Sequence, residues 1–366
     1  MIAMRSWPTV PLAALVLCAC APASQLAAIS SIRATLAAPA GPPPLVRAWP
    51  VMGTMLEVTV WEPDTTRALH ALSAARAAVQ KVDSLMSNYR PQSELSVVNR
   101  RAGTDTLTVI SPETAEVLEA ALRFARASGG ALDVTVGPVV DIWGFYRPQG
   151  PLPPAAAVDS ARALVGFERI EYAAAARTLR LPTRGMRLDF GAIAKGYAAD
   201  RAVAAIRALG VERGKVDLGG NLRFVGAPPG SHGWQVGLRD PRSPDEMIAV
   251  VQMDSGSVAT SGDYERFFVY HGVRYAHIID PHTGWPARGV IGVSVLAPSG
   301  LVSDALSTAL FVLGPDRGCA LAHAVGVDAF WVLDGSAREG AIVITPGLRG
   351  NMELRLPSGM PRPRSC

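Results

Sequence analysis

The chain alternates between stretches of period two and stretches of period 3.6. "AWPVMGTMLEVTVWE" (48–62) switches between apolar and polar positions as a half-buried strand does, and "TTRALHALSAARAAVQKVDSLMSNY" (65–89) repeats its apolar residues at helical spacing, with Thr65 or Thr66 as the cap. A second helix is predicted through "SPETAEVLEAALRFARASGG" (111–130), where Ser111, Pro112 and Glu113 form a start signal and the glycines a stop. Helical spacing returns at 155–166 and 191–210, interleaved with short strands at 169–182, 215–226 and 232–241. The C-terminal part is strand-rich: "AVVQMDSGSVATSG", "ERFFVYHGVRYAHIID" and "GVIGVSVLAPS", then the helix "LVSDALSTALFVLG", then "DAFWVLD" and "AIVIT". Helices and hairpin-like strands mix without regular βαβ alternation and no internal repeat is visible, which makes the class α+β.

Composition narrows the picture. The 366 residues are 49% hydrophobic and 18% charged, ample for a substantial core. Net charge is only +4, and the 35 Lys and Arg are scattered as single positions in Ala-rich helices, so nucleic acid is not expected as a partner.

The first twenty residues read as a targeting segment. "MIAMRSWP" places one Arg before the apolar run "TVPLAALVLCAC", which has the length of a signal-peptide core and is too short for a mature span. "LCAC" resembles the lipobox of bacterial lipoproteins, with Cys20 as the lipidated residue after Ala19; an ordinary signal peptide cut nearby is the alternative. Residues 21–46 are rich in Ala, Pro and Ser and suit a tether, residues 47–350 form the folded domain, and 351–366 remain as a tail. Export, lipid anchoring to a membrane and a periplasm-facing location follow as expectations. Beyond the targeting segment only Cys319 and Cys366 occur, and since a terminal Cys366 is a poor structural partner, no disulfide framework is expected.

Several polar and glycine-rich segments then offer chemistry, each beside a structural alternative. "LDFGAIAKGYAAD" (188–200) sets a strand end, a glycine turn and a helix start next to Lys195, which suits phosphate or simply tight packing of helix on strand; it lacks the spacing of a Walker P-loop. "VDLGGNLRFVG" reads most simply as a turn between strands. In "SDALSTALFVLG", Asp304 and Thr308 are four apart and share a helix face, a sparse pair that suits magnesium or, alternatively, a capping Asp with a back-bonded Thr. "AHIIDPHTGWPA" (276–287) holds two of the chain's six histidines; turn chemistry explains the Pro and Gly but not His277.

Taken in order, "VMGT", "SNYRPQSELSVVN", "LDVTVGPVVDIWGF", "LDFGAIAKGYAAD", "VDLGGN", "VATSGDYERFF", "HIIDPHTG" and "SDALSTALFVLG" closely resemble the bacterial FAD:protein FMN transferase (ApbE) family over roughly residues 47 to 345. The resemblance implies an ApbE-type fold with a T-fold-like core, mixed and antiparallel sheets with helices packed on them, and transfer of FMN from FAD to a Thr or Ser hydroxyl of a partner protein with release of AMP. It implies FAD contacts at Met52, Tyr89, Ala131, Leu132, Asp133, Asp189, Lys195 and Ile278, and Mg²⁺ ligands at the Ala192 carbonyl, Asp304 and Thr308. Ala192 replaces the family's usual second glycine, a change a carbonyl ligand tolerates. His282 stands where the family often has Arg, which removes a charged contact there and suggests an exposed replacement.

His277 resembles the family's histidine at that position and is the expected base: a hydroxyl is a poor nucleophile at neutral pH, and imidazole has a suitable pKa to accept its proton. Acceptors would be flavoproteins of membrane redox complexes or extracytoplasmic electron-transfer proteins. Two other readings use the same residues: an FAD pyrophosphatase yielding FMN and AMP, and a flavin-binding lipoprotein without catalysis. Tyr89 favours transfer, because an aromatic there accompanies FAD retention in this family.

Overall fold

The computed structural model describes residues 43–145, 152–335, 342–356 and 362–366; the expected signal segment with Cys20 and most of the 21–46 tether lie outside them. A nine-stranded sheet organises the chain, in the spatial order Leu45–Val51, Thr54–Val60, Gly214–Leu218, Asn221–Val225, Gly256–Gly262, Val290–Ala297, Asp328–Leu333, Ile342–Ile344, Arg364–Ser365. Neighbours are antiparallel except the final pair, which is parallel. The helices are α1 (Thr65–Met86), α2 (Glu94–Arg100), α3 (Pro112–Ala127), α4 (Gly137–Trp143), α5 (Ala155–Arg162), α6 (Ala194–Ala208) and α7 (Gly300–Val325). The class is α+β, as expected.

Both faces of the large sheet are covered around Asp328–Leu333, which is apolar at consecutive positions. In Asp328–Leu333, Ala329 and Trp331 join the core shared with α1, α3, α6 and α7, while Phe330 and Val332 join a second core with Trp234, Val236, Leu238 and Val251. That second core lies between the large sheet and a three-stranded one ordered Met352–Leu354, Ser243–Met253, Trp234–Asp240. A third, smaller cluster gathers Val139 and Trp143 of α4, Val158 and Ala161 of α5, Tyr275 and Ile279.

Local signals mostly place the elements, with instructive exceptions. Ser111 caps α3 by accepting from the Thr114 amide, with Pro112 in the first turn. At α1 the cap is Asp64, one residue before the expected threonines: its Oδ1 accepts from the amides of Thr66 and Arg67 at 2.9 and 3.1 Å. "AVVQMDSGSVATSG" is not one strand but parts of two, ending at Met253 and restarting at Gly256 in different sheets, since Asp254 and Ser255 turn the chain. Helix α7 runs past the expected end at Gly314, where a positive φ of 64° and Pro315 put a kink.

The C-terminal reading needs correcting. Cys319 and Cys366 form a disulfide with Cα atoms 5.7 Å apart. Pairing of Arg364–Ser365 beside Ile342–Ile344 carries the terminal residue over the second half of α7, a juxtaposition that sequence distance conceals. Met352–Leu354 also pairs into the small sheet, so much of the expected tail belongs to the fold.

Candidate functional site

Helices α6 and α7 cross where Gly196 meets Gly300. A Cβ on Gly196 would lie 1.9 Å from the Gly300 carbonyl oxygen, so only glycine permits the contact. The Gly196 amide, in the first turn of α6 where the helix supplies no acceptor, donates to Asp304 Oδ2 at 2.8 Å. The other carboxylate oxygen, Oδ1, lies 3.6 Å from Lys195 Nζ, which also donates to the Gly191 carbonyl at 2.8 Å. One turn on along α7 stands Thr308, half-buried, its hydroxyl 3.4 Å from Ser261 Oγ. Asp304 is buried.

This donor set fits a hard cation. Among the described residues no three His, Cys, Asp or Glu side chains come together. A cation here would rely on the Asp304 carboxylate, the Thr308 hydroxyl and the Ala192 carbonyl, completing its shell from water and phosphate oxygens in the manner of Mg²⁺.

The loops around this crossing are tied to one another. Asp189 accepts from the Gly191 amide through Oδ1 at 2.7 Å and donates its own amide to the Val134 carbonyl at 2.7 Å. With the parallel bridge between Val136 and Arg187, these bonds hold segments 131–136 and 187–191 side by side. Asn99 donates to and accepts from the Leu188 backbone at 2.9 and 2.7 Å and bonds Asn88 at 3.0 Å, so the turn bearing Tyr89 is pinned to the same 187–191 segment. Tyr89 itself is 68% exposed.

The Asp133 carboxylate faces inward. Oδ1 accepts from the Thr135 amide and hydroxyl, Oδ2 from the Phe167 amide, and burial raises its pKa. Ala131 and Leu132 are buried as well. Met52 and Gly53 form a left-handed turn with φ of 52° and 69°. Gly219 packs beside it so closely that a Cβ would sit 2.5 Å from Thr54 Oγ1, and the "VDLGGN" glycines are indeed a turn between strands.

His277 sits at the foot of the hairpin made by Phe267–Tyr270 and Val273–Ala276. The Arg266 carbonyl accepts from the His277 amide at 2.9 Å and lies 3.2 Å from Nδ1. Since a carbonyl only accepts, Nδ1 carries the proton in the neutral ring, and Nε2 keeps its lone pair. Burial, with Arg266 and Lys195 nearby, depresses the His277 pKa to about 4. Arg266 Nη2 in turn reaches the Gly53 carbonyl at 3.4 Å, joining the Met52 turn to the histidine. Ile278 is buried beside it and its carbonyl accepts from the Ala287 amide.

His282 is exposed yet engaged: its Nε2 lies 2.9 Å from the Gly129 carbonyl and its Nδ1 3.1 Å from Asp280 Oδ1. It thereby fastens the "DPHTG" turn to the loop leading into Ala131. The structure thus links Lys195 to Asp304, Asp189 to the Ala131–Asp133 loop, and His277 through Arg266 to the Met52 turn.

Sequence reading missed Gly196, Asn99 and Arg266. Each lies inside a quoted segment, but only the packing reveals what its backbone or side chain holds. Two cavities, of about 800 and 510 Å³, lie elsewhere, one around Arg223, Asp254 and Asn351 and the other around Trp61 and Arg213.

The chain is similar to known proteins in sequence and in fold. A family model described as the ApbE family matches residues 52–331. A protein of Treponema pallidum named FAD:protein FMN transferase is 38% identical over 303 residues, covering 78% of this chain and 83% of that one. Its Vibrio cholerae namesake is 33% identical, over 75% of this chain and 83% of the relative. Among solved structures, the ApbE protein of Thermotoga maritima superposes with a TM-score of 0.74 at 31% identity, covering 79% of this chain and 94% of its own. The flavin transferase ApbE of Vibrio cholerae superposes with a TM-score of 0.73 at 30% identity, over 80% and 94%. With the family model matching residues 52–331 and the overall fold shared with these solved structures, the protein belongs to the ApbE family.

Proposed function

We propose that the protein is an FAD:protein FMN transferase, which moves the FMN part of FAD to a Thr or Ser hydroxyl of an acceptor protein and releases AMP. The relatives' names support flavin transfer to protein. The observation that carries the chemistry is the orientation of His277, whose Nδ1–H is held by the Arg266 carbonyl while Nε2 stays available as a base.

In this reading the acceptor oxygen attacks the phosphorus nearer riboflavin as its proton passes to Nε2. The bond from that phosphorus to the bridging oxygen breaks, and AMP leaves with the electron pair. Burial first, and then the charges of Arg266 and Lys195, keep His277 unprotonated at neutral pH; an anionic pyrophosphate beside the two cations offsets the charge part of that effect and strengthens the base. Lys195, held by the Gly191 carbonyl, and the 189–191 turn face the phosphates, while the 131–133 backbone, Met52, Tyr89 and Ile278 surround the flavin. Asp304, Thr308 and the Ala192 carbonyl would hold Mg²⁺, which when bound neutralises pyrophosphate charge.

The protein would be exported and lipid-anchored at Cys20, facing the periplasm, with acceptors among membrane redox complexes or extracytoplasmic electron-transfer proteins. The Cys319–Cys366 disulfide supports an oxidising compartment. No helix among the described residues is long and apolar enough to cross a membrane.

Incubation with FAD, Mg²⁺ and an acceptor, followed by a denaturing gel, tests the reading. Flavin fluorescence on the acceptor supports transfer, release of free FMN alone supports the pyrophosphatase, and unchanged FAD supports a binding protein.

A further inference from the structure

We infer that the outer edge of the strand Phe267–Tyr270 is where the acceptor docks, an extended segment of the protein substrate adding itself to the hairpin and delivering its hydroxyl to His277. The inference rests on the transferase reading and specifies how that site takes its protein substrate.

Phe267–Tyr270 and Val273–Ala276 form a sheet of their own, paired only with each other among the described residues. One face is anchored: Phe268 and Tyr275 stack at 5.4 Å, and both lie against Trp143 of α4, at 6.4 and 5.7 Å. The opposite face carries Phe267 and Val269, which are 44% and 59% exposed. The Arg274 guanidinium lies 4.5 Å over the Phe267 ring. Exposed aromatic and β-branched side chains on a short, rigidly backed strand are unusual, since open edges are commonly blunted by charge or cover.

The backbone register adds a second, independent feature. The bond from the His277 amide to the Arg266 carbonyl, with the pairing of Phe267 to Ala276, makes 266/277 and 268/275 the bonded pairs. Phe267 and Val269 then direct their N–H and C=O groups away from the partner strand, so the two residues with exposed apolar side chains also offer the open hydrogen-bonding edge. Strand addition uses such an edge for affinity and the alternate side chains for selection.

Continuity with the reacting centre identifies the occupant. Arg266, which precedes this strand, shares the hairpin's last rung with His277. The imidazole leans across the last rung toward Arg266, at the start of the strand that carries the open edge, because Nδ1 bonds the Arg266 carbonyl. A strand added there runs about 4.8 Å outside Phe267–Tyr270 and leads its next residues past Arg266 to Nε2. A protein that gives flavin to other proteins must let a macromolecule cover the surface around its base. This edge adjoins that base and is built to receive backbone.

The test uses FAD, Mg²⁺ and a pooled library of synthetic peptides, each with one central Thr or Ser, from which wild-type protein selects members by flavin fluorescence. For a selected peptide, Val269→Asp is expected to raise KM at least tenfold with kcat changed less than threefold and FAD affinity unchanged. Val269→Thr, which keeps the branched shape and the backbone donor, should retain wild-type KM. Val269→Pro, lacking the outward N–H, should behave like Val269→Asp, with unchanged FAD affinity showing an intact fold. Wild-type KM in both Val269→Asp and Val269→Pro overturns the docking edge while leaving transfer standing. Wild-type protein that binds FAD yet labels no peptide and no folded acceptor overturns the transferase reading and this edge with it.

Discussion

The Gly196 amide donates to Asp304 Oδ2 at 2.8 Å, at the point where α6 and α7 touch through glycine. One bond therefore orients the candidate metal carboxylate, satisfies a first-turn amide of α6 that has no partner within the helix and ties the two helices together where they touch.

Replacing Gly196 with Ala should disturb all three. Its Cβ would stand 1.9 Å from the Gly300 oxygen and 2.6 Å from Asp304 Cβ, so a helix must move. The expected outcome is a loss of about 1–3 kcal/mol in stability together with weakened Mg²⁺ dependence of transfer, read by denaturant titration and by activity against Mg²⁺ concentration. An unchanged unfolding midpoint would contradict the packing described here.

Asp304→Ala removes the anionic ligand from the candidate set. Transfer should become undetectable at sub-millimolar Mg²⁺ while circular dichroism shows a folded chain. Full activity at that Mg²⁺ concentration would end the metal assignment.

His277→Ala should slow single-turnover flavin transfer by about a hundred- to ten-thousand-fold while FAD affinity changes less than about tenfold. A histidine that only filled space would show the reverse, with weaker FAD binding and transfer per bound FAD nearly intact.

The depressed pKa of His277 gives a pH signature with a definite sign. Its folded value of about 4 lies below the ordinary 6.5, so the unfolded chain takes up this proton first as pH falls. Its contribution is fully present above pH 6.5 and is lost as pH drops toward about 4. The stability of wild type relative to His277→Gln should fall across that window and be constant above it, as measured by urea titrations in parallel. In the free enzyme kcat/KM should lack an acid limb from this group until pH approaches 4.

Cys366→Ser opens a loop with a sequence separation of 47 residues. Chain-entropy reasoning gives a loss of up to about 4 kcal/mol, visible as a lower Tm that matches wild type treated with reductant. Identical melting of oxidised wild type and variant would show that the link contributes nothing.

Cys20→Ser should leave an exported protein that no longer sediments with membranes, because the lipid would be the strong anchor. Retention on membranes after a high-salt wash would exclude the lipid anchor.

Sequence by itself determined the element types, the α+β class and the segments that carry chemistry, because these depend on local periodicity, caps and turn residues. Asp304 and Thr308 share a helix face by spacing alone, and the "VDLGGN" turn needs only its glycines. Tertiary structure decided what those segments face. The inward turn of the Asp133 carboxylate follows from the Thr135 and Phe167 donors packed around it, and the tautomer of His277 is set by a carbonyl eleven residues away. The disulfide depended on a parallel strand pair at the sheet's edge. Such pairings join residues far apart in the chain, and local propensity carries no record of which distant surfaces burial will bring together.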